Sequence, residues 1–396
     1  MYLREVFMRE TFLPFARPSI AQDGIDEVVA SIKSGWLTIG PKTIAFENVF
    51  KEFTSSPYCI GVNSATAGLH LALMALGIGK GDEVITTPMT FASTINTIIL
   101  AGATPVLADI DRKTLNIVPA NIKAKITPKT KAIMPVHFAG RPCDMKAIRE
   151  IAKKHNLIII EDAAHALGAK YQGEKIGKTE GKNAVVFSFH PTKNITTGEG
   201  GMVCLSDEAA AEAVYIMRQN GMSKGAWNRY AAKGKTHYDI SLLGLKYNML
   251  DINAAIGISQ MKQLDAFNTR RNEIVAKYMD AFKDTKGLIV PTPVAEGDYH
   301  SWHIFTPMID TDVLNITRDD FMRLMGEQNI GTALHYQAIP TFSYYQKAFG
   351  WNVKDYPEAK YVGEHIVSLP LFPAMTEQDI QDVINTTKQI LKEHLK

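Results

Sequence analysis

The segment Val185-Val-Phe-Ser-Phe-His190-Pro-Thr-Lys193-Asn-Ile-Thr-Thr-Gly198-Glu-Gly-Gly-Met-Val-Cys-Leu205 consists of two short apolar runs separated by a polar stretch rich in threonine and glycine. The runs are too short for helices and mostly lack polar alternation, as expected of strands that are covered on both faces. Ionisable residues follow the first run directly. Because ligands gather at the carboxyl ends of parallel strands, the segment predicts a buried sheet with a site at its edge.

Five apolar runs of the same kind precede this segment. They are Tyr58–Val62, Glu83–Thr87, Thr104–Ala108, Ala132–Val136 and Leu157–Ile160. Amphipathic helix candidates, such as Leu69–Leu76 and Met145–His155, lie between several of them. Alternation of strands and helices predicts an α/β domain built on a mostly parallel seven-stranded sheet.

The pattern changes after Asp251. A long helix is predicted over Asp251–Lys283, a strand over Trp302–Ile309, and two further helices over Asp319–Glu327 and Glu377–His394. With 396 residues, the chain is long enough for two domains. We predict a large α/β domain over residues 13–265 and a smaller C-terminal α+β domain over residues 266–396.

Composition is that of a soluble globular protein. The net charge is +2 and no long basic run occurs, so neither nucleic acid nor an anionic membrane is expected as a partner. The N-terminus is interrupted by charges and contains no apolar signal region. Three cysteines, at positions 59, 143 and 204, lack the spacing of a metal site or a disulfide framework. We therefore expect a cytoplasmic protein without a structural metal.

Three other segments also place polar residues just after a predicted strand: Asn63–Gly68, Pro88–Ser93 and Glu161–His165. Taken one at a time, their residues have ordinary explanations, since an aspartate at a strand end usually caps a helix and a lysine there is usually solvated. One cofactor, pyridoxal 5′-phosphate (PLP), requires all of them together. It needs a lysine for a Schiff base, here Lys193, and a carboxylate at its pyridine nitrogen, here Asp162.

The phosphate and the ring of PLP each require further contacts from the protein. A phosphate suits the unpaired amides of a helix N-terminus, which predicts contacts with Ala65 and Thr66, and Ser188 would add a hydroxyl. A flat apolar side chain is needed against the ring, and Phe91 fits that role. His165 is expected either to pack on the ring or to meet its 3′ oxygen.

The order Glu161-Asp-Ala-Ala-His165-Ala-Leu-Gly168, Ser188-Phe-His-Pro-Thr-Lys193 and Thr197-Gly-Glu-Gly-Gly201 resembles the nucleotide-sugar aminotransferases of the DegT–StrS group, which have PLP fold type I. The likeness extends from Leu13-Pro-Phe-Ala-Arg-Pro18 to Ser368-Leu-Pro-Leu-Phe-Pro373. Within the group, the chain is most similar to UDP-4-amino-4-deoxy-L-arabinose–oxoglutarate aminotransferases.

The resemblance implies a homodimer in which each active site receives phosphate contacts from the partner. The matching segment here is Gly244-Leu-Lys246-Tyr-Asn248-Met-Leu-Asp251, where many members have Gly-Tyr-Asn-Tyr-Arg. Either Lys246 or Asn248 would therefore reach the neighbouring cofactor, with Asn248 as our candidate. The resemblance also implies substrate contacts for Thr38, Lys42, His190 and His335.

The activity that follows is transfer of an amino group from glutamate to a keto group of a nucleotide-linked sugar, with a UDP-linked 4-keto sugar expected, in the synthesis of cell-envelope polysaccharide or lipid A sugars. Three alternatives fit the sequence less well. Related sugar dehydratases carry histidine at the Schiff-base position, whereas this chain has Lys193. A regulatory protein with this fold would not need every cofactor position filled. A dinucleotide-binding enzyme is disfavoured because Gly77-Ile-Gly-Lys-Gly81 lacks the third glycine of the fingerprint and follows a helix.

Overall fold

The computed structural model describes residues 9–222 and 238–396. Its strands are β1 (Tyr58–Val62), β2 (Glu83–Thr86), β3 (Thr104–Leu107), β4 (Thr130–Met134), β5 (Ile158–Asp162), β6 (Lys170–Tyr171), β7 (Glu174–Lys175), β8 (Ala184–Ser188), β9 (Gly201–Leu205), β10 (Leu288–Ile289) and β11 (Met308–Ile309). Within these residues, seven strands form one sheet in the order β1-β9-β8-β5-β4-β2-β3. Strand β9 runs antiparallel to both of its neighbours, and the other pairs are parallel. The predicted mostly parallel sheet is confirmed.

Helices surround the sheet and build the C-terminal region. They are α1 (Gln22–Ser34), α2 (Pro41–Thr54), α3 (Ala65–Ala75), α4 (Ala92–Leu100), α5 (Pro119–Ala124), α6 (Met145–His155), α7 (Glu208–Met217), α8 (Asp251–Phe282), α9 (Arg318–Glu327), α10 (Ser343–Phe349), α11 (Pro357–His365) and α12 (Glu377–Glu393). The long helix predicted from Asp251 is α8, and the two predicted C-terminal helices correspond to α9 and α12.

The sheet is covered on both faces, which explains why its strands are apolar throughout. In β8, Val186 packs toward α3, whereas Val185 and Phe187 pack toward Phe46 and Phe50 of α2. Successive side chains of a strand point to opposite faces. The same alternation determines which polar residue at the end of each strand faces the site.

The C-terminal region has its own hydrophobic core, formed by α9, α12 and the second half of α8. Along α8, Leu264 packs with the residues of the sheet and Ile274 packs with the C-terminal core. We therefore propose that the domain boundary lies within α8, close to the division at residues 265/266. Leu13 packs in the C-terminal core and pairs with Ile330, although the prediction began the large domain at residue 13.

The strand predicted over Trp302–Ile309 is mostly wrong, since only Met308–Ile309 belongs to a strand. The backbone before it makes a different contact. Ser301 N–H donates to the Gly140 carbonyl at 3.1 Å, and His303 N–H donates to the Ala139 carbonyl at 3.0 Å. An apolar run cannot by itself distinguish strand pairing from this docking against a turn of the large domain.

Candidate active site

A cavity of about 300 Å³ opens at the carboxyl ends of β5 and β8, beside the N-terminus of α3. Such a position is typical of ligand sites in α/β sheets. Nine of the residues predicted for the site line this cavity: Ala65, Thr66, Phe91, Asp162, His165, Ser188, His190, Lys193 and His335. The structure therefore brings together side chains from segments that are 270 positions apart, from Ala65 to His335.

Asp162 is the last residue of β5, and its carboxylate is buried. Thr94 Oγ1 donates to Asp162 Oδ2 at 2.8 Å, and the Ala164 N–H donates to Asp162 Oδ1 at 3.2 Å. Burial nevertheless raises the pKa of Asp162 above its ordinary value, because these hydrogen bonds and the nearby Lys193 charge offset only part of the desolvation. A buried carboxylate of this kind favours a cationic partner in the cavity.

Glu161, the neighbour of Asp162, faces the other side of the sheet. There its carboxylate lies 2.9 Å from His137 Nε2. His137 Nδ1 accepts a hydrogen bond from the Cys143 N–H, so Nε2 of the neutral ring carries the proton and donates it to Glu161. Of the two carboxylates at the end of β5, only Asp162 lines the cavity, because successive side chains of a strand point to opposite faces.

Lys193 lies in the loop between β8 and β9. Three backbone hydrogen bonds hold the loop: Lys193 N–H to the His190 carbonyl at 2.9 Å, Thr197 N–H to the Phe189 carbonyl at 3.0 Å, and Phe189 N–H to the Gly200 carbonyl at 2.9 Å. Burial lowers the pKa of Lys193 to about 8, while the charge of Asp162 acts in the opposite direction. About a tenth of the amine is therefore neutral, and hence nucleophilic, at pH 7, far more than at the ordinary lysine pKa.

The N-terminus of α3 forms another wall. Ser64 caps the helix by accepting from the Ala67 N–H at 3.1 Å, and the first backbone hydrogen bond runs from the Gly68 N–H to the Ser64 carbonyl. The amides of Ala65 and Thr66 precede this bond and are available to a ligand. With Ser188 on the facing strand, this arrangement suits an anion such as a phosphate.

The two predicted histidines of the outer cavity differ in burial. His190 is exposed, and its Nδ1 lies 3.0 Å from Thr192 Oγ1. His335 is partly buried, with Nδ1 2.9 Å from Ser368 Oγ. Burial and the charge of Lys193 lower the pKa of His335 to about 4, so this ring is neutral at physiological pH.

Thr38, Lys42 and Asn248 do not line the cavity. Asn248 Nδ2 lies 3.4 Å from Thr38 Oγ1, so two of the three meet each other. Lys42, at the start of α2, forms an ion pair with Glu27 of α1. Lys246 is exposed, and its carbonyl accepts from Asn63 Nδ2 at 3.4 Å.

Several residues around the cavity were missed by sequence reasoning. Thr94 hydrogen-bonds Asp162, and Tyr336 hydrogen-bonds His165. His303 packs against His165 in a tilted arrangement, with 4.3 Å between ring centroids. No sequence pattern indicated Thr94 or His303, because their positions depend on how α4 and the C-terminal region pack against the sheet. The sequence contained one indication that Tyr336 belongs to the site, since Tyr336 directly follows His335.

A comparison with protein families matches residues 18–388 to the DegT/DnrJ/EryC1/StrS aminotransferase family. The chain belongs to this family. It is 46% identical over 385 residues to the spore coat polysaccharide biosynthesis protein SpsC of Bacillus subtilis, covering 97% of this chain and 98% of that protein. It is also 48% identical over 387 residues to the uncharacterized protein MJ1066 of Methanocaldococcus jannaschii, covering 98% of this chain and all of the other.

Comparison with solved structures also matches the chain to sugar aminotransferases. The putative sugar aminotransferase Spr1654 of Streptococcus pneumoniae, described in PLP and PMP forms, superimposes with a TM-score of 0.88 at 30% identity. The match covers 96% of this chain and at least 98% of that one. The α/β fold expected of a PLP aminotransferase is thereby confirmed. Among residues 9–222 and 238–396, no helix is both long and apolar enough to cross a membrane.

Proposed function

We propose that the protein uses PLP to transfer an amino group from glutamate to a keto group of a nucleotide-linked sugar, with a UDP-linked 4-keto sugar as the leading candidate. The observation that carries the proposal is the pairing of Lys193, whose pKa is lowered to about 8, with the buried carboxylate of Asp162 in one cavity. Similarity to a polysaccharide biosynthesis protein supports a role in making cell-envelope sugars.

The residues of the cavity fit PLP. Asp162 carries a negative charge where a protonated pyridine nitrogen would balance it, and the raised pKa of Asp162 shows that its burial is not fully compensated by the protein alone. The amides of Ala65 and Thr66, with the hydroxyl of Ser188, would hold the phosphate. When bound, PLP supplies an electron sink that makes a carbon–hydrogen bond of the substrate acidic.

Lys193 has two tasks in this proposal. Its Nζ would hold the cofactor covalently, and as a free amine it would accept the proton that leaves the substrate carbon and return it. The second task requires a neutral amine. Burial provides it, because desolvation disfavours the charged ammonium form.

We further propose that the active unit is a homodimer. Helix α1 exposes Ile25, Val29 and Ile32 at helical spacing, with 46%, 41% and 55% of their surface accessible. Trp36 and Leu37, which follow α1 and precede Thr38, are also about half exposed. The opposite side of α1 packs on α8, so this apolar face is free for a second copy.

A mass-spectrometric screen tests the proposed activity. Purified protein is incubated with ¹⁵N-glutamate and UDP-, dTDP- or GDP-linked sugars that carry a 4-keto or 3-keto group. We expect ¹⁵N to enter one of these sugars and 2-oxoglutarate to appear in equal amount. Lys193→Ala is the control and should give neither product. Loss of the keto sugar without ¹⁵N incorporation would instead indicate dehydration, and no turnover of any sugar would contradict the proposal.

A further inference from the structure

Tyr336 lines the cavity and contacts His165. Its hydroxyl oxygen lies 2.9 Å from His165 Nε2, and the two rings are close to parallel, with an interplanar angle of 25°. Phe138 packs edge-on against the tyrosine ring at a centroid distance of 6.0 Å. The ring is thus held in place by packing while its hydroxyl meets a polar neighbour.

The direction of this hydrogen bond follows from the other nitrogen of His165. The Ala139 N–H donates to His165 Nδ1 at 3.2 Å, so Nδ1 must be unprotonated. Burial, together with the charge of Lys193, holds the pKa of His165 well below its ordinary value, and the ring is neutral. The single ring proton is therefore on Nε2, which donates to the oxygen of Tyr336.

This arrangement leaves the proton of Tyr336 available. A phenol has one proton to donate and two lone pairs to accept with, and here one lone pair receives the histidine proton. Burial raises the pKa of Tyr336, with a further contribution from the charge of Asp162, so the hydroxyl stays protonated. Both nitrogens of His165 are meanwhile occupied. Of the two roles expected for His165, packing on the ligand ring is therefore favoured over bonding an oxygen.

We propose that Tyr336 is a hydrogen-bond donor of the active site: it accepts the Nε2 proton of His165 and presents its own O–H to an oxygen atom of the bound ligand. That oxygen belongs to the 3′ position of PLP or to the sugar. Naming these two ligands rests on the proposed function, whereas the geometry of Tyr336, His165 and Ala139 does not.

The first test needs no cofactor. In the full chain prepared without PLP and labelled with ¹⁵N-histidine, NMR should show His165 as the neutral Nε2–H tautomer, with its signal assigned by loss in His165→Gln. Tyr336→Phe should shift the Nε2–H resonance and speed its exchange with water. Tyr345→Phe is a matched control, because its hydroxyl donates to Asn96 Oδ1 at 2.7 Å and not to His165. An Nδ1–H tautomer, or a resonance unaffected by Tyr336→Phe, would overturn the proposal.

The second test distinguishes the two oxygens in the enzyme loaded with PLP. A donor to the 3′ oxygen stabilises its anionic form, so Tyr336→Phe should raise the pKa at which the absorbance of the Lys193-linked cofactor changes. If the sugar is the acceptor, this titration stays unchanged and KM for the keto sugar rises about three- to tenfold at constant kcat. No change in either quantity would refute donation to a ligand. Failure of the wild-type protein to bind PLP would refute only the proposed function, because the histidine test stands independently.

Discussion

At the scale of single residues, the chemistry depends on which side of a strand a carboxylate occupies. Glu161 and Asp162 are adjacent in the chain, yet one lies against His137 and the other faces the cavity with Lys193. Their different surroundings suggest different functions. The pair therefore offers a direct comparison between two acidic residues on the same strand.

We expect Asp162→Asn to lower kcat/KM on the order of a hundredfold or more, because a neutral amide cannot stabilise a protonated pyridine nitrogen. Glu161→Gln is the matched control and should cost less than about tenfold, since its amide oxygen still accepts from His137. Steady-state kinetics measure both, with thermal unfolding as the check on folding. A larger loss in Glu161→Gln would show that the assignment of the two faces is wrong.

The amine of Lys193 should titrate near pH 8 in the protein without PLP, because burial lowers its pKa. Competitive labelling with acetic anhydride across a pH series, read by peptide mass spectrometry, measures this midpoint. In Asp162→Asn the midpoint should move lower still, since the carboxylate acts to raise the lysine pKa. A wild-type midpoint near 10.5, the ordinary value for lysine, would contradict this account of activation.

Seven of the nine cavity residues were predicted because each follows a strand or opens a helix, and parallel strands place such positions along one edge. His190 and His335 were expected only from the family resemblance. The sequence did not predict Thr94 or Tyr336. Their contacts depend on the packing of α4 over β5 and on the approach of residues 335–336 from the C-terminal region. A local sequence pattern cannot predict a contact between segments that lie so far apart in the chain.

At the scale of elements, the site depends on how closely β9 approaches the N-terminus of α3. A Cβ added to Gly201 would lie 2.6 Å from the Ser64 carbonyl carbon and 2.7 Å from the Ala65 nitrogen. Both are backbone atoms, so neither can rotate away. Glycine at position 201 is thus required for the helix to present its first amides to the cavity.

Gly201→Ala should weaken PLP binding by about tenfold, because relieving such overlap costs on the order of 1–3 kcal/mol and displaces the amides of Ala65 and Thr66. Gly326→Ala is the control: it lies in α9, the added Cβ meets nothing within 4 Å beyond its own stretch of helix, and PLP affinity should stay unchanged. Fluorescence titration with PLP gives both constants. Wild-type affinity in Gly201→Ala would mean that the α3 terminus does not hold the phosphate.

At the scale of the whole molecule, Thr38 and Asn248 meet each other outside the cavity of their own chain. The exposed apolar face of α1 and residues 36–37 lies next to Thr38 in sequence. These observations support a dimer in which each subunit contributes residues to the other site. The sequence alone indicated this only through the family resemblance, because exposure of an apolar helix face becomes visible only when the rest of the chain has packed.

Mixing two inactive subunits tests shared sites. Lys193→Ala lacks the Schiff-base lysine and Asn248→Asp places a negative charge where the partner's phosphate would bind. In a mixed dimer one site carries both changes and the other carries neither, so random exchange should restore about one quarter of wild-type activity. Lys246→Glu, tested in place of Asn248→Asp, shows which of the two residues reaches the partner. No recovery with either variant, when subunit exchange is demonstrated, would mean that each site is self-contained.

The central claim, that Lys193 carries PLP, is tested most directly by reduction with borohydride. The protein is loaded with PLP, treated with borohydride, digested and analysed by peptide mass spectrometry, with Lys193→Ala as the control. We expect the absorbance of the linked cofactor to disappear and the reduced cofactor mass to be found on Lys193, while Lys193→Ala retains no covalent mass. A cofactor mass on a different lysine, or on none, would contradict the account.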